Sequence, residues 1–465
     1  MTHGFTWTDA RVRDALGIGE AGADPRLAFT GVSTDTRSVS TGQLFVALTG
    51  ERFDGHDFVG EAAARGARGA IVSRSVEPDS ALTLYRVDDT LTALGALARY
   101  RRRALPARVV GVTGSAGKTT VKNFLAAALA PSYRVHATRG NLNNRVGVPL
   151  TLLGTPETTE ILVLEMGTSE PGEIAILTTV SEPDASVVTT VSEAHLEGLG
   201  SFQGVLREKL DLTRGTRTGG PIVVGDVPEE LPREARAMRP DVQVAGFTSL
   251  ADAELRAELH AEPDEEGRFR FRLWDREITA PVPGRHGARN FLLALVMARS
   301  LGARLDDAVR GASEVRAGSL RGEVRRVGGL TLLLDCYNAN PQSVAAALDL
   351  LAELPGARGR IAFLGTMLEL GEETGRLHRA VLERALALPL DLIVASGAFA
   401  DPARVLSRGR GSEHPALLAA ETIEEGYAAL LPRLTGSETV LLKASRGVAM
   451  EGLLDRFEAD FGGEG

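Results

Sequence analysis

The stretch RVVGVTGSAGKTTVKNFLAAALA (108–130) decides the fold. An apolar strand runs into a glycine-rich turn and then a helix, an order that presents backbone N–H groups to phosphate oxygens at the helix N-terminus. In such a loop Lys118 reaches the terminal phosphates and the hydroxyl of Thr119 binds Mg²⁺. Val112 replaces the first glycine of the strict pattern, but the flanking strand and helix still favour a nucleotide site. The predicted phosphate loop comprises Gly114, Ser115, Ala116, Gly117, Lys118, Thr119 and Thr120.

Outward from this loop, the chain continues with nearly uninterrupted apolar runs at 160–167, 184–191 and 220–226. Helical stretches alternate with them, which predicts a parallel sheet covered on both faces. A smaller α/β unit precedes them, with strands at 43–48 and 69–73, and a second doubly wound unit begins near Leu320. We therefore predict an α/β protein of three domains: a small N-terminal α/β domain (1–106), a central P-loop domain with a parallel sheet (107–318) and a C-terminal Rossmann-like domain (319–465).

Composition restricts the class of protein. The chain has 465 residues, 43% of them hydrophobic, and a formal net charge of −9, which argues against a nucleic-acid scaffold. The single cysteine excludes an intrachain disulfide and a cysteine-rich metal site, and no apolar run suits a signal peptide or a membrane span. We expect a cytoplasmic protein without nucleic-acid partners or membrane insertion. The arginine-rich run at 96–108 is interpreted as a solvated helix end rather than a nucleic-acid patch.

Only four of the 52 basic residues are lysines: Lys118, Lys122, Lys209 and Lys443. Codon bias explains the scarcity of lysine but not the positions at which it remains. Lysine, unlike arginine, can lose its proton and react. Lys209, on the predicted helix at 201–212, is either a solvent-facing residue or an amine of lowered pKa that takes up CO₂ to form a carbamate, and we favour the carbamate. Lys122 is expected at the surface or behind the phosphate loop.

Two further candidates follow strand ends of the central domain. Glu165 ends one apolar run, where a carboxylate would project into the crevice at the carboxyl edge of the sheet and bind metal, or would cap the next turn. His195 follows the next run, and a metal role is credible there, although an isolated histidine is usually a loop or core residue.

In the C-terminal segment, Asp335 and Asn338 follow a strand. They either contact a ribose or base across a cleft or only cap a helix and turn the chain. Asn340 and Pro341 are predicted as the N-cap and first residue of a helix. Cys336 is expected to be a packed residue rather than a nucleophile.

Taken together, several segments resemble the Mur ligases over nearly the whole chain. YNANP and MLELGEE resemble the branch of the family that adds D-Ala-D-Ala to UDP-MurNAc-tripeptide. The matching segments are 33–37, 42–58, 113–120, 140–153, 165–174, 194–201, 284–290, 335–343, 364–373 and 441–451.

The resemblance implies an ATP-dependent amide ligase that works through an acyl phosphate, whose small-molecule substrates are UDP-MurNAc-tripeptide and D-Ala-D-Ala, and whose state is monomeric. The N-terminal domain would hold the UDP-sugar through Ser33, Thr34, Asp35, Thr36 and Arg37, and the substrate crevice would be bordered by Asn141, Asn143 and Asn144. The nucleotide would be bound by the phosphate loop, Asn290, Arg321, Asp335 and Asn338. Two Mg²⁺ ions would be held by Thr119, Glu165, His195 and carbamylated Lys209, with Lys118, His195 and Lys209 as the catalytic residues. Lys443 and Arg446 would lie in a loop that faces the cleft.

The chain departs from the family at Thr366, where the family usually has aspartate, and at Ala444, where it has glycine. Two alternatives stay open: a sister enzyme, either a MurE-like ligase or a folylpolyglutamate synthase, and a P-loop regulatory protein without ligase activity.

Overall fold

The computed structural model describes residues 5–19, 22–50, 52–77, 82–316, 318–408 and 415–463. These residues form a mixed α/β protein in which three largely parallel sheets succeed one another along the chain. The predicted fold class and three-domain layout are confirmed, while the boundaries at 106/107 and 318/319 stay predictions. Across the described ranges, no helix has both the length and the apolar character needed to cross a membrane.

The N-terminal domain is built on a parallel sheet of order β3-β4-β5-β6. Its elements are β1 (Trp7–Thr8), α1 (Asp9–Leu16), β2 (Ala28–Phe29), β3 (Val32–Ser33), β4 (Leu44–Val46), α2 (Val59–Ala64), β5 (Gly69–Val72), β6 (Thr83–Arg86) and α3 (Thr90–Ala104). Because the strands are parallel, the loops after Ser33 and Arg86 leave the same edge of the sheet.

The central domain contains a six-stranded parallel sheet of order β12-β11-β10-β7-β9-β8 and a three-stranded antiparallel sheet, counted over the described residues. Its elements are β7 (Arg108–Thr113), α4 (Lys118–Leu129), β8 (Val135–Ala137), α5 (Gly147–Leu153), β9 (Ile161–Glu165), α6 (Glu173–Ser181), β10 (Ala185–Val188), α7 (Leu196–Leu199), α8 (Phe202–Gly215), β11 (Ile222–Gly225), α9 (Glu230–Met238), β12 (Gln243–Ala245), β13 (Glu258–Leu259), β14 (Arg270–Leu273), β15 (Arg276–Thr279), α10 (Arg285–Ser300) and α11 (Leu305–Ser313). Val112 on β7 pairs with Glu165 on β9, so the phosphate loop and this carboxylate leave the sheet side by side.

Helix α4 holds the phosphate loop against the core. Val121, Phe124, Leu125 and Ala128 recur at helical spacing and are all buried. The ring of Phe124 lies 5.2 Å from that of Phe291 on α10, centroid to centroid.

Replacing Phe124 with alanine is expected to lower the free energy of unfolding of the central domain by about 3–5 kcal/mol, because the cavity cannot collapse between two packed helices. Denaturant unfolding measures this. Phe53→Ala is the control, since Phe53 is 71% exposed, and its change should stay within about 0.5 kcal/mol. Equal losses in the two variants would contradict the packing argument.

The C-terminal domain has the sheet order β16-β17-β21-β18-β19-β20, in which β16 alone is antiparallel to its neighbour among the described strands. Its elements are β16 (Glu323–Val327), β17 (Leu330–Leu334), α12 (Pro341–Glu353), β18 (Arg360–Leu364), α13 (Thr374–Leu386), β19 (Leu392–Ser396), α14 (Ala400–Ser407), β20 (Ala416–Ala420), α15 (Ile423–Leu430), β21 (Thr439–Lys443) and α16 (Leu453–Phe461). The predicted N-cap is confirmed, because Asn340 and Ser343 form a reciprocal capping box.

The arginine-rich end of α3 is not simply solvated, so that prediction was wrong for two of its residues. Arg101 and Arg102 are buried. Arg101 donates to the carbonyl of Thr155 at 3.1 Å, and Arg102 donates to that of Ser181 at 2.8 Å and to Asp184 at 2.6 Å. The central domain supplies these acceptors, so the arginines at the end of α3 hold the N-terminal domain against the central domain. Arg103 remains exposed.

Candidate active site

A cavity of about 950 Å³ lies where the carboxyl ends of the central strands face the C-terminal domain. We call it the nucleotide cavity. Most of the predicted site residues line it together: Ser115, Ala116, Gly117, Lys118, Thr119, Thr120, Asn141, Asn143, Asn144, Glu165, His195, Asn290, Arg321, Asp335, Asn338 and Lys443. The remaining predicted residues do not: Gly114, Lys209, Arg446 and the segment Ser33–Arg37.

The phosphate loop has the backbone that its glycines predict. Gly117 caps α4 with φ +81°, a conformation that favours glycine, and a Cβ there would lie 2.4 Å from Asn290 Oδ1. Lys118 Nζ donates to the carbonyl of Gly114 at 2.7 Å. Burial lowers the pKa of Lys118, Glu165 opposes this, and Arg321 adds to it. Val112 is buried in β7 and outside the turn, so the missing first glycine leaves the loop intact.

Glu165 is the centre of a polar cluster beside this loop. Its Oε1 accepts hydrogen bonds from Thr119 Oγ1 at 3.1 Å and from Asn143 Nδ2 at 2.8 Å. Its Oε2 is buried and has no hydrogen-bond partner among the described residues. A hydroxyl and a carboxylate side by side, with one carboxylate oxygen free of hydrogen bonds, form the hard oxygen donor set that Mg²⁺ prefers beside phosphates. The residues present therefore fit a magnesium ion.

Lys122 lies behind the phosphate loop, which is the second of its two expected positions, and not at the surface. It is buried, and its Nζ donates to the carbonyl of Thr138 at 2.8 Å and lies 3.7 Å from Glu165 Oε2. Burial lowers its pKa and the neighbouring Glu165 opposes the shift. Lys122 follows Thr119 by three positions, so both side chains project from one face of α4 toward the same carboxylate.

Lys209 is completely buried on α8, which rules out the solvent-facing alternative. Its Nζ has no hydrogen-bond partner among the described residues. Burial and the nearby charge of Lys118 lower its pKa well below the ordinary value, against the opposing charges of Glu208 and Glu173. The neighbouring Glu208 is occupied by the backbone N–H groups of Gly172 and Ile174, both at 2.7 Å. Lys209 is thus a buried amine of lowered pKa, without a hydrogen-bond partner among the described residues, close behind the phosphate loop.

His195 contacts a residue that the sequence prediction did not include, Glu369 of the C-terminal domain. His195 Nδ1 and Glu369 Oε2 are hydrogen-bonded, and this bond lowers the pKa of Glu369. Both residues have a positive φ, 55° and 64°, a strained conformation that clusters at functional sites. Glu369 lies in the MLELGEE segment quoted above, but only the fold shows that it reaches another domain.

The C-terminal domain is closed onto the phosphate loop. Asn340 Nδ2 donates to the carbonyl of Ser115 at 3.4 Å, and Gln342 Nε2 donates to Thr190 Oγ1 at 2.8 Å. These bonds hold the start of α12 against the central sheet. The cavity is therefore bounded by both domains.

On the C-terminal side of the cavity, Lys443 Nζ lies 2.8 Å from Asp335 Oδ2 and donates to the carbonyl of Asn338 at 2.7 Å. Asn338 Oδ1 accepts from the backbone of Ala339, so this residue turns the chain as well as lining the cavity. Arg321 stacks on the ring of Tyr337, 3.7 Å from its centroid. Burial raises the pKa of Cys336 to about 12, which agrees with a packed residue.

The proposed UDP-sugar segment lies apart from this cavity, at the carboxyl end of β3. There Asp35 Oδ1 accepts from the backbone N–H of Arg37, and the two side chains form an ion pair of 2.7 Å. Arg446 pairs with Glu451 instead of facing the cavity.

The two departures from the family have simple local settings. Thr366 Oγ1 accepts from the N–H of Ala398 at 3.0 Å, within the C-terminal domain. Ala444 is buried and outside the positive-φ region, so its Cβ is tolerated.

A phosphate loop with a strand-end carboxylate, closed by a Rossmann-like domain, defines a nucleotide-binding enzyme of the phosphoryl-transfer class. Family models match the chain in three pieces: the Mur ligase family catalytic domain at 28–102, the Mur ligase middle domain at 112–298 and the Mur ligase glutamate ligase domain at 320–446. The chain belongs to the Mur ligase family.

Named relatives cover nearly the whole chain. The UDP-N-acetylmuramoyl-tripeptide--D-alanyl-D-alanine ligase of Escherichia coli (strain K12) is 36% identical over 96% of each chain. The crystal structure of MurF from Acinetobacter baumannii matches with a TM-score of 0.87 at 29% identity, over 98% of this chain and 99% of that one. The MurF ligase of Thermotoga maritima, solved in complex with ADP, matches with a TM-score of 0.79 at 29% identity, over 93% and 97%.

Proposed function

We propose that this Mur ligase joins D-alanyl-D-alanine to UDP-MurNAc-tripeptide and converts one ATP to ADP and phosphate. The observation that carries the proposal is the near full-length relationship to a ligase of that name, in a chain whose phosphate loop and C-terminal domain enclose one cavity. The name of a relative from Acinetobacter baumannii describes an acceptor that contains alanyl, D-glutamyl and 2,6-diaminopimelate residues. We infer that the acceptor here also has an alanyl residue followed by a D-glutamyl residue. The ligation experiment below identifies its third residue.

The proposed chemistry is that implied by the family, and residues of the cavity would carry it out. The terminal carboxylate of the tripeptide attacks the γ-phosphorus of ATP, the bond to the β-phosphate oxygen breaks, and ADP leaves. The amine of the dipeptide then attacks the carbonyl carbon of the acyl phosphate and displaces phosphate. Lys118 and the loop amides would hold the transferring phosphoryl group, and closure of the two domains around the substrates would limit access of the water that hydrolyses the intermediate.

Mg²⁺ would be held by Thr119 and Glu165, and when bound it supplies positive charge that offsets charge on the phosphoryl oxygens. Lys122 keeps the Glu165 carboxylate in place from behind. Within the described ranges, no three His, Cys, Asp or Glu residues are grouped as a metal site. A second ion near His195 would therefore need further oxygen ligands.

Carbamylation of Lys209 would supply those ligands. A neutral amine is the form that reacts with CO₂, and burial together with the nearby charge of Lys118 lowers the pKa of Lys209 and so favours that form. The carbamate would add two oxygens and a negative charge next to the phosphate-binding lysine. The buried Nζ has no other partner to compete for it among the described residues.

The remaining parts of the proposal are a monomeric, cytoplasmic enzyme that acts on small molecules rather than nucleic acid, with the UDP-sugar held at Ser33–Arg37. The net charge of −9 supports the absence of a nucleic-acid partner.

Ligation is tested by incubating the purified protein with ATP, Mg²⁺, UDP-MurNAc-tripeptide and D-Ala-D-Ala, and measuring phosphate release and product mass. We expect phosphate release that depends on the dipeptide and a product heavier by the dipeptide less one water. Tripeptides ending in lysine, ornithine or diaminopimelate identify the third residue.

Single amino acids, offered with the acceptors of the sister ligases or of folylpolyglutamate synthase, serve as controls. ATP turnover only with those pairs would assign the chain to a sister activity. Nucleotide binding without any ligation would favour the regulatory alternative.

A further inference from the structure

Arg145 lies where two cavities meet. It lines the nucleotide cavity, and it also lines a groove of about 1610 Å³ between the N-terminal and central domains. Leu91, at the start of α3, is the other residue shared by the two linings. The junction of groove and cavity is therefore formed by Leu91 from one side and Arg145 from the other.

The Arg145 side chain has no partner, unlike the other arginines of these two linings. No hydrogen bond, ion pair or ring contact joins it to any described residue. The partners of the others are Thr6 for Arg11, Glu182 for Arg99 and Arg103, Glu353 for Arg285, Asp226 for Arg289, Tyr337 for Arg321 and Asp349 for Arg384. Arg145 is partly buried and open to a ligand.

The backbone on both sides of Arg145 is held in place. Asn144 Oδ1 accepts from the N–H groups of Val146 at 3.2 Å and Gly147 at 2.9 Å. The carbonyl of Asn143 accepts from Gly167 at 2.7 Å, and its side chain donates to Glu165. A guanidinium on such a fixed loop is well placed to bind a carboxylate through two parallel hydrogen bonds.

The acceptor peptide has to pass this junction. Its reacting carboxylate must reach Lys118 and Glu165, whereas its UDP-sugar end belongs at the carboxyl edge of the N-terminal sheet. Leu91 is the one described residue of segment 1–106 that lines the nucleotide cavity. It follows β6 by five positions, on the same edge of the sheet as Ser33. With the UDP-sugar at Ser33–Arg37, the peptide would run between Leu91 and Arg145 to reach the phosphate loop.

We propose that Arg145 is a substrate-binding residue that binds a carboxylate of the acceptor peptide other than the one that reacts. This inference rests on the proposed function. Two sources offer such a group: the glutamyl residue, which keeps one free carboxylate in any peptide linkage, and diaminopimelate, which carries a second carboxylate on its side chain. Lysine at the third position has no second carboxylate.

The test compares Arg145→Ala with wild type for tripeptides ending in diaminopimelate and in lysine. We expect KM for the tripeptide to rise about 10- to 100-fold, as for loss of a charged hydrogen bond, with KM for ATP and for D-Ala-D-Ala unchanged. Arg145→Lys should recover part of the lost affinity for the tripeptide, since lysine keeps the positive charge but lacks the two parallel N–H donors of the guanidinium. Arg139→Ala is the control, because Arg139 is exposed on the same loop and lines neither cavity.

Each outcome either supports or overturns the proposed role of Arg145. An equal rise for both tripeptides supports binding of the glutamyl carboxylate, and a rise for the diaminopimelate peptide alone supports the side-chain carboxylate. An unchanged KM for both overturns the inference while ligation by wild type still supports the proposed function. Absence of ligation by wild type is instead a failure of the proposed function. If Arg145→Ala loses ATP binding as well, Arg145→Gln, which keeps a long polar side chain, takes its place in the same comparison.

Discussion

Replacing Lys118 with methionine is expected to lower kcat by about 10²–10³-fold or more, because the phosphoryl group loses a positive charge positioned for its transition state. The loop backbone is set by Gly114 and Gly117 and by the start of α4, so its amides should remain in place. Steady-state phosphate release with saturating substrates measures the loss.

The folded state should tolerate this substitution. Lys118 is repelled by Arg321, and its removal does not leave a buried acid unpaired, since Glu165 keeps Thr119, Asn143 and Lys122 as neighbours. Arg139→Met is the matched control for loss of one basic residue in the same domain, and it should retain activity. A Lys118→Met enzyme within a few-fold of wild type would remove Lys118 from the mechanism.

Lys209→Met is expected to abolish ligation and at the same time to stabilise the ligand-free protein. The amine is buried without a partner, so a methionine of similar size should recover about 1–3 kcal/mol of free energy of unfolding. Lys443→Met gives the matched contrast. Lys443 is just as deeply buried but is paired with Asp335, so this variant should be destabilised.

The gain in free energy of unfolding of Lys209→Met over wild type should depend on pH. Burial places the pKa of folded Lys209 well below its ordinary value, whereas an unfolded lysine keeps its proton up to about pH 10. Between these two pKa values the unfolded state binds one proton more, so the stability of wild type rises with pH. The advantage of Lys209→Met should therefore be largest at low pH and shrink toward pH ~10. Thermal unfolding in CO₂-free buffers from pH ~6 to ~10 measures it, and a constant difference would contradict a shifted pKa.

The carbamate itself has a direct signature. Wild type equilibrated with ¹³C-bicarbonate should show a carbamate carbonyl resonance that Lys209→Met lacks and Lys443→Met keeps. A missing resonance in wild type, or full ligase activity of Lys209→Arg with and without added CO₂, would show that Lys209 acts in another way.

The central sheet and the phosphate loop could be predicted from the sequence because their signals are local. Strands buried on both faces have to be apolar throughout, which makes β7, β9, β10 and β11 visible as runs. Glu165 could be assigned because the carboxyl ends of parallel strands share one edge, so a strand-end acid next to a phosphate loop is placed by topology alone.

The burial and pairing of other residues depend on partners far away in the chain, which the sequence around them does not show. Arg101 and Arg102 looked solvated because their acceptors, including Asp184, belong to another domain. For Lys122 the surface and a position behind the phosphate loop both stayed open, because helical spacing does not show which neighbour covers a face, and the carbonyl of Thr138 was not foreseeable. Glu369 was quoted as part of a motif, yet its contact with His195 joins two domains.

By itself, the sequence determined the alternation of apolar strands and helices in the central domain, the phosphate loop and the acid beside it, since these follow from residue periodicity and turn chemistry over short stretches. Only the tertiary structure decided which charged groups are paired. It isolated Lys209 from every described partner, paired Lys443 with Asp335 and left Arg145 open between two cavities. The physical reason is that burial and pairing energies depend on neighbours brought together by the packing of separate domains.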